Sequence, residues 1–334
     1  MNFIGMDIHK KTTTAVAKDK QGTILNEARF DNTKQNFKNF LKDFSPEETK
    51  IVIESTCVWQ YIYDMLEEYG YEVKLSNPTK TKAIACARIK TDSVDASTLA
   101  DLLRGDLVAE SYIPDKGMRK LRDVVRQRKT LVKGRTQIKN KIRAILNMQG
   151  IKIPFKTLCD QAIKMIIEEI KEVSIKTVIV SYINILEQYN YELKYIEERI
   201  KDIAERDKQA QLLITIPGIS HIRAMEILTE IADISRFENS SKLCSYAGLV
   251  PSIKQSGSTL RFGRLIQQSS KTLKGVLIET SWTMIRMKEP NQLQFFYKKL
   301  CKKKSKQKAI CATARKLCCV VYALLKKNEE FMIL

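Results

Sequence analysis

The chain has 334 residues, too many for one small core, so two or three domains are expected. Lysine and arginine number 58 against 38 aspartates and glutamates, a net charge of +20, and such a surface calls for a polyanion, either nucleic acid or an acidic membrane. No apolar run approaches the length of a membrane span. The first apolar run already contains Asp7, so no signal-peptide pattern is present. With two histidines and no Cys-x-x-Cys pair there is no zinc-finger spacing, and most of the eight scattered cysteines are expected to be reduced core residues of a cytosolic protein.

Residues 3–7 read as a buried strand ending in an acid, 12–17 as a second strand rich in Thr and Val, and 23–30 as a third, reached through turn chemistry at Gly22. Phe37, Phe40, Leu41 and Phe44 follow helical spacing. Residues 50–54 are a short β-branched run, followed by a helix through Trp59, Ile62 and Leu66, a strand over 71–75, and a helix over 79–88. Thr91 and Asp92 read as the entry to a helix running through Leu99, Leu102 and Leu103. Three strands followed by alternating helix and strand is the order of an α/β RNase H-like fold, a meander to which later strands join by helical crossovers.

That order places four acids. Asp7 ends the first strand and Glu54 the fourth, so they become neighbours at one sheet edge. Asp92 and Asp95 are three residues apart and share a helix face. Acids also favour a helix start for its cap and macrodipole. Four carboxylates in one pocket, however, repel each other unless cations neutralise them. Hard oxygen ligands suit Mg²⁺ or Mn²⁺, and two such ions about 4 Å apart support phosphodiester chemistry.

Gly105 and Pro114 bracket a boundary. Beyond it Arg119, Arg122, Arg126, Lys129 and Lys133 recur at steps of three and four, a cationic stripe suited to a phosphate backbone, beside an apolar seam of Leu121, Val125, Val132, Ile138, Ile142 and Ile145. Residues 161–213 are charged and helical, a helical hairpin or coiled-coil arm for spacing and self-association. Ile216-Pro-Gly218 opens a helix at His221 in the manner of a helix-hairpin-helix element. Ser256 and Gly257 fall in an expected loop with Lys254, Arg261 and Arg264. Ser-Gly is commonly a turn, but a serine oxygen among fixed cations can also attack a phosphate. Helices are expected over 273–287 and 309–327.

Gly5-Met-Asp-Ile-His9, Ile53-Glu-Ser55, Lys90-Thr-Asp-Ser-Val-Asp-Ala96, Ile216-Pro-Gly218, Gly248-Leu-Val-Pro251 and Ser256-Gly257, in this order and with a basic helical middle, resemble the DEDD transposases of the insertion sequence 110 family, relatives of the Piv DNA invertase. The resemblance implies a RuvC-like domain over 1–112 with Asp7, Glu54, Asp92 and Asp95 as its metal-binding acids. It implies basic helices and a coiled-coil arm over 113–210, and a transposase domain over 211–334 with Ser256 as nucleophile. Where the family often shows Ser-Ser-Gly-Gly this chain has Gln255-Ser-Gly-Ser258, so Ser258 is the alternative. Ser270 and Lys274 stand where the family usually has Gly and Arg. The resemblance further implies recombination of DNA, guidance by a structured bridge RNA, and a homo-oligomer, dimer or tetramer. Three alternatives stand beside it: a RuvC-like junction nuclease or invertase acting through the acids alone; an actin-like sugar kinase or ATPase, which would need a second Gly-rich phosphate loop that the chain lacks; and a non-enzymatic nucleic-acid-binding or scaffold protein, which would have no reason to place four acids at strand ends in so basic a chain.

Overall fold

The computed structural model describes residues 1–85, 91–151, 160–256 and 259–331, and the chain divides into two units, Met1–Ile113 and Pro114–Leu334. The first unit begins with β1 (Asn2–Ile8), β2 (Thr12–Lys18) and β3 (Ile24–Asp31), an antiparallel meander. Helix α1 (Lys34–Leu41) leads to β4 (Thr49–Glu54), and α2 (Trp59–Glu68) leads to β5 (Glu72–Ser76). β4 pairs parallel with β1, and β5 with β4, so the sheet order is β3-β2-β1-β4-β5. The meander-then-crossover order expected from the sequence is therefore present. α3 (Pro78–Ile84) and α4 (Asp92–Arg104) complete the unit.

β1 and β2 are buried almost throughout, because one side of the sheet packs on a core of Ile4, Met6, Phe37, Ile51, Ile53, Ile62 and Leu66, while the other meets α4. α4 starts where the sequence says it should: the Thr91 side chain accepts a hydrogen bond from Val94 N at 3.2 Å, satisfying one of the orphan donors of the first turn. Its buried face is small at the centre, Ala96 and Ala100, and branched at the flanks, Leu99 and Leu103. Gly5 lies under that small stripe. A Cβ at Gly5 would stand 2.1 Å from Ala96 O and 2.5 Å from Ala100 N, so strand and helix backbones touch. Lys18, 6% exposed on β2, reaches Asp101 on the same helix at 2.6 Å.

The second unit is largely helical. α5 (Lys116–Met148) and α7 (Val173–Arg206) are long, with α6 (Asp160–Glu169) between them; α8 (Lys208–Ile214), α9 (His221–Ile231) and α10 (Ser240–Tyr246) follow. β6 (Pro251–Ser256) and β7 (Thr259–Leu265) form an antiparallel hairpin, and α11 (Lys271–Arg286), α12 (Gln292–Cys301) and α13 (Lys306–Lys327) close the chain. α6 and α7 lie within the predicted helical span, but the long partner of α7 is α5. Arg128 meets Glu197, Lys141 lies over Tyr182, and Ile142 and Leu146 share a cluster with Ile179 and Ile183, so the two run antiparallel. The apolar seam read on α5 is what α7 covers. The expected loop around Ser256 is likewise a strand pair, with Ile253 opposite Phe262 and Ser256 opposite Thr259. Among the described residues, Cys57, Cys244, Cys301, Cys311, Cys318 and Cys319 are free thiols, and no helix is long and apolar enough to cross a membrane.

The Gly5 contact leaves a clear expectation. Gly5→Ala must push α4 off the sheet and should cost about 2 kcal/mol or more in urea unfolding, the usual penalty of overpacking. Gly275→Ala, in α11 with nothing within 4 Å of the added carbon, should instead stabilise by about 0.5–1 kcal/mol. Equal effects from the two changes would disprove the contact.

Candidate active site

The register of the sheet brings the acids together. Met6 is opposite Ile53 in the parallel β1–β4 pair, so Asp7 and Glu54 follow side by side at the same edge. Asp92 and Asp95 occupy the first turn of α4, which crosses that edge. Asp7 is buried, 5% exposed; Glu54, Asp92 and Asp95 are half-buried. Burial pushes the Asp7 carboxyl above the ordinary range, His9 pulls it down, and Asp92 and Asp95 raise it further. Glu54 is raised for the same reason, burial first, then the charge of Asp7, with Lys82 opposing and Asp95 adding. The four acids predicted from the sequence are thus linked electrostatically through Asp7, which feels Asp92 and Asp95 and itself acts on Glu54.

Two further residues, not assigned to the site from the sequence, join it. His9 Nε2 lies 3.3 Å from Asp7 Oδ2 and 3.3 Å from Asp92 Oδ1, bridging strand and helix. It stands two positions after Asp7, and alternate strand residues share a face, so spacing could have found it. Arg29 Nη1 lies 3.3 Å from Asp92 Oδ2. It is found only through the meander, since Asp7 is opposite Thr14 and Thr14 opposite Arg29. A cleft lined by Thr14, Glu27, Arg29, Asp92 and Ser93 adjoins the acids. Asp7, His9 and Asp92 each offer one ligand atom, all within 4.8 Å of one another. A buried Asp7 carboxyl with a raised pKa, and His9 drawn between it and Asp92, fit a divalent cation held mainly by carboxylate oxygen.

The cationic stripe of α5 is split by the fold. Arg119 is buried, the Arg122 Nε donates to Thr229 O at 2.7 Å, and Arg126 donates from Nε and Nη2 to Glu230 Oε1 at 3.0 and 2.8 Å. Arg128, off the stripe, reaches Glu197 and Glu226. The cause lies on α9, where Glu226 and Glu230 are buried and need cations beside them. Arg126, although paired with Glu230, is exposed like Lys129 and Lys133, and those two lysines carry the stripe on beyond it. Further along the helix, burial and the neighbouring charges of Arg135 and Arg143 lower the Lys139 pKa.

Arg261 and Arg264 are exposed on β7, Lys254 lies on β6, and Ser256 is the last residue of β6. Gly257 and Ser258 lie outside the described residues, as does Lys90. Ser270 caps α11 and its hydroxyl donates to Glu230 Oε2 at 2.8 Å. His221 is the first residue of α9, behind the Ser220 cap, and the Arg223 guanidinium ties the preceding turn by donating to Gly218 O.

Four acids are thus gathered at a mixed-sheet edge in a chain of net charge +20. Residues 4–149 match the family model of the DEDD enzymes of the IS110 type, described as Transposase, and residues 210–298 match that of the Transposase IS116/IS110/IS902 family. The chain is 26% identical over 343 residues to the pilin gene-inverting protein of Moraxella bovis, covering 98% of this chain and 97% of that one. It is 22% identical over 295 residues to the transposase for insertion sequence element IS1111A of Coxiella burnetii, covering 84% and 79%. It is 24% identical over 283 residues to the transposase for insertion sequence element IS1328 of Yersinia enterocolitica, covering 84% and 82%. The chain belongs to the IS110 family of transposases.

Crowding of the acids has a measurable consequence. Asp7 and Glu54 hold protons more tightly folded than unfolded, so they cost stability as pH rises from their ordinary values, 3.8 and 4.5, through the raised ones. In chelator at neutral pH, Asp7→Asn should therefore melt a few degrees above the wild-type chain, an advantage that disappears as pH falls back through that window. Added Mg²⁺ or Mn²⁺ should raise the melting temperature of the wild-type chain and leave Asp7→Asn nearly unchanged. A variant less stable than wild type in chelator at neutral pH would refute the repulsion.

Proposed function

We propose that this chain is a DNA recombinase of the transposase and invertase kind, with a RuvC-like, RNase H-fold N-terminal unit and a serine nucleophile in the C-terminal one. The observation that carries the reading is the convergence of Asp7, Glu54, Asp92 and Asp95 at one sheet edge. These carboxylates hold Mg²⁺ or Mn²⁺, which when bound supplies Lewis-acid stabilisation of a phosphodiester. His9 and Arg29 orient Asp7 and Asp92 and keep their charge partly balanced before the ion enters.

Ser256 is the nucleophile, with Ser258 as the alternative. Its hydroxyl oxygen forms an ester with a DNA phosphate while a sugar oxygen departs and takes up a proton. Attack by the sugar hydroxyl of a second strand restores the serine and reseals DNA, so every bond broken is replaced and no strand end is left free. Lys254, Arg261 and Arg264 offset the charge that builds on the phosphate. Lys129 and Lys133 track the nucleic-acid backbone, and the net charge of +20 suits DNA together with a structured bridge RNA. The long α5–α7 pair provides the arm through which a homo-oligomer assembles. Inversion is favoured as one outcome by the match to the pilin gene-inverting protein along nearly the whole chain.

The test is to incubate the chain with Mg²⁺, the noncoding RNA flanking its element and a DNA carrying the element junction, then to assay for protein covalently bound to DNA. The adduct should form with the wild-type chain and be lost with Ser256→Ala and with Asp7→Ala. Nicked DNA without an adduct, unchanged by Ser256→Ala, would establish a nuclease that uses the acids alone.

A further inference from the structure

The β6–β7 hairpin carries an apolar pair that no core of its unit uses. Ile253 is 61% and Phe262 is 65% exposed, and they are direct cross-strand partners. A β-branched residue opposite an aromatic is a strong sheet pair, normally placed to bury its face against a core. Here the pair stands in solvent on a hairpin whose root is fixed. Gly248 has φ +68° and packs so closely on Ser269 that a Cβ would lie 2.3 Å from its hydroxyl. Ile266 N donates to Val250 O, Ser270 N donates to Tyr246 O, and Leu249 is buried. The exposed pair is thus held out on a rigid base.

Charge selects what covers it. Residues 239–278 contain Lys242, Lys254, Arg261, Arg264, Lys271 and Lys274 and no acid. Arg261 and Arg264 flank Phe262 and are exposed. A second copy of this hairpin would bring cation against cation, which disfavours self-pairing. A polyanion with apolar faces between its charges fits both features, and bases between phosphates provide that.

We propose that Phe262 and Ile253 form a wedge that contacts the bases of DNA at an opened step, while Arg264, two residues along β7 from Phe262 and on the same strand face, holds a flanking phosphate. The proposal rests on the reading of this unit as the one that acts on DNA. Apolar side chains inserted at a base step stabilise the unstacked form, and strand exchange requires bases to part from their first partners. Phe262 opposes Ile253 three pairs from the Ser256–Thr259 end of the hairpin, so the wedge and the candidate nucleophile belong to the same small element.

The experiment uses the full chain and two short DNA duplexes, one with a mismatched central step carrying a fluorescent adenine analogue, the other fully paired. Binding is read by anisotropy and opening of the step by the rise in the analogue's fluorescence as it parts from its stacked neighbours. Phe262→Ala should weaken binding to the mismatched duplex about tenfold and abolish the rise, as expected for one lost stacking contact. Affinity for the paired duplex should change by less than about threefold, because backbone contacts remain. Phe262→Trp should restore both signals. Equal affinities and an equal fluorescence rise in wild type and Phe262→Ala would overturn the wedge. So would a change of oligomer mass in Phe262→Ala by light scattering, or a loss confined to a structured RNA hairpin. Failure of the wild-type chain to bind either duplex would instead remove the DNA reading itself, and the wedge with it.

Discussion

The backbone of Gly5 lies directly against the backbones of Ala96 and Ala100, and the position of the acidic site follows from that contact. With no side chain between them, strand and helix approach to a distance that any Cβ would forbid. Asp7 lies two residues along β1 from Gly5, and Asp92 and Asp95 lie within one turn of Ala96. Three of the four carboxylates are therefore carried by the two segments that touch. The fourth, Glu54, is brought in by the parallel pairing of β1 and β4. Lys18, reaching Asp101, pins the far half of the same helix. Close packing here opposes electrostatics, since it holds together acids that would separate if the backbone allowed it.

That arrangement explains why the site is supported so heavily by apolar burial. Ile4, Met6, Ile51 and Ile53 are fully buried beneath the strands that end in Asp7 and Glu54. Leu99 and Leu103 bury the helix that carries the other two. Each such side chain contributes about 2 kcal/mol of transfer free energy, enough to offset repulsion that would otherwise open the pocket. His9 and Arg29 moderate the repulsion, and a divalent cation is the group best suited to remove it.

The second unit inverts the problem. Glu226 and Glu230 are buried acids on α9, and the basic helix α5 supplies their partners. Burial raises the Glu226 pKa while Arg128 pulls it back. Glu230 takes Arg126 on one oxygen and Ser270 on the other, so one buried carboxylate links α5, α9 and the start of α11 next to the hairpin root. The positive charge of α5 therefore has two uses, part holding the unit together and part remaining at the surface.

Much of the fold is legible in the amino-acid sequence, because local periodicity reports local geometry. The alternation of strands, the Thr91 cap, the i, i+3 spacing of Asp92 and Asp95 and the acids at the ends of β1 and β4 all depend on residues within a few positions of one another. What tertiary structure alone decided depends on distant partners. Arg29 meets Asp92 only because two antiparallel registers align. Arg122 and Arg126 are bound to α9 only because Thr229 and Glu230 are folded against them. α7 takes α5 as its long partner, and Ser256 ends a strand where composition suggested a loop. Sequence pattern specifies which face of an element is apolar; it does not specify which other face will cover it, since that choice is made by packing among segments far apart in the chain.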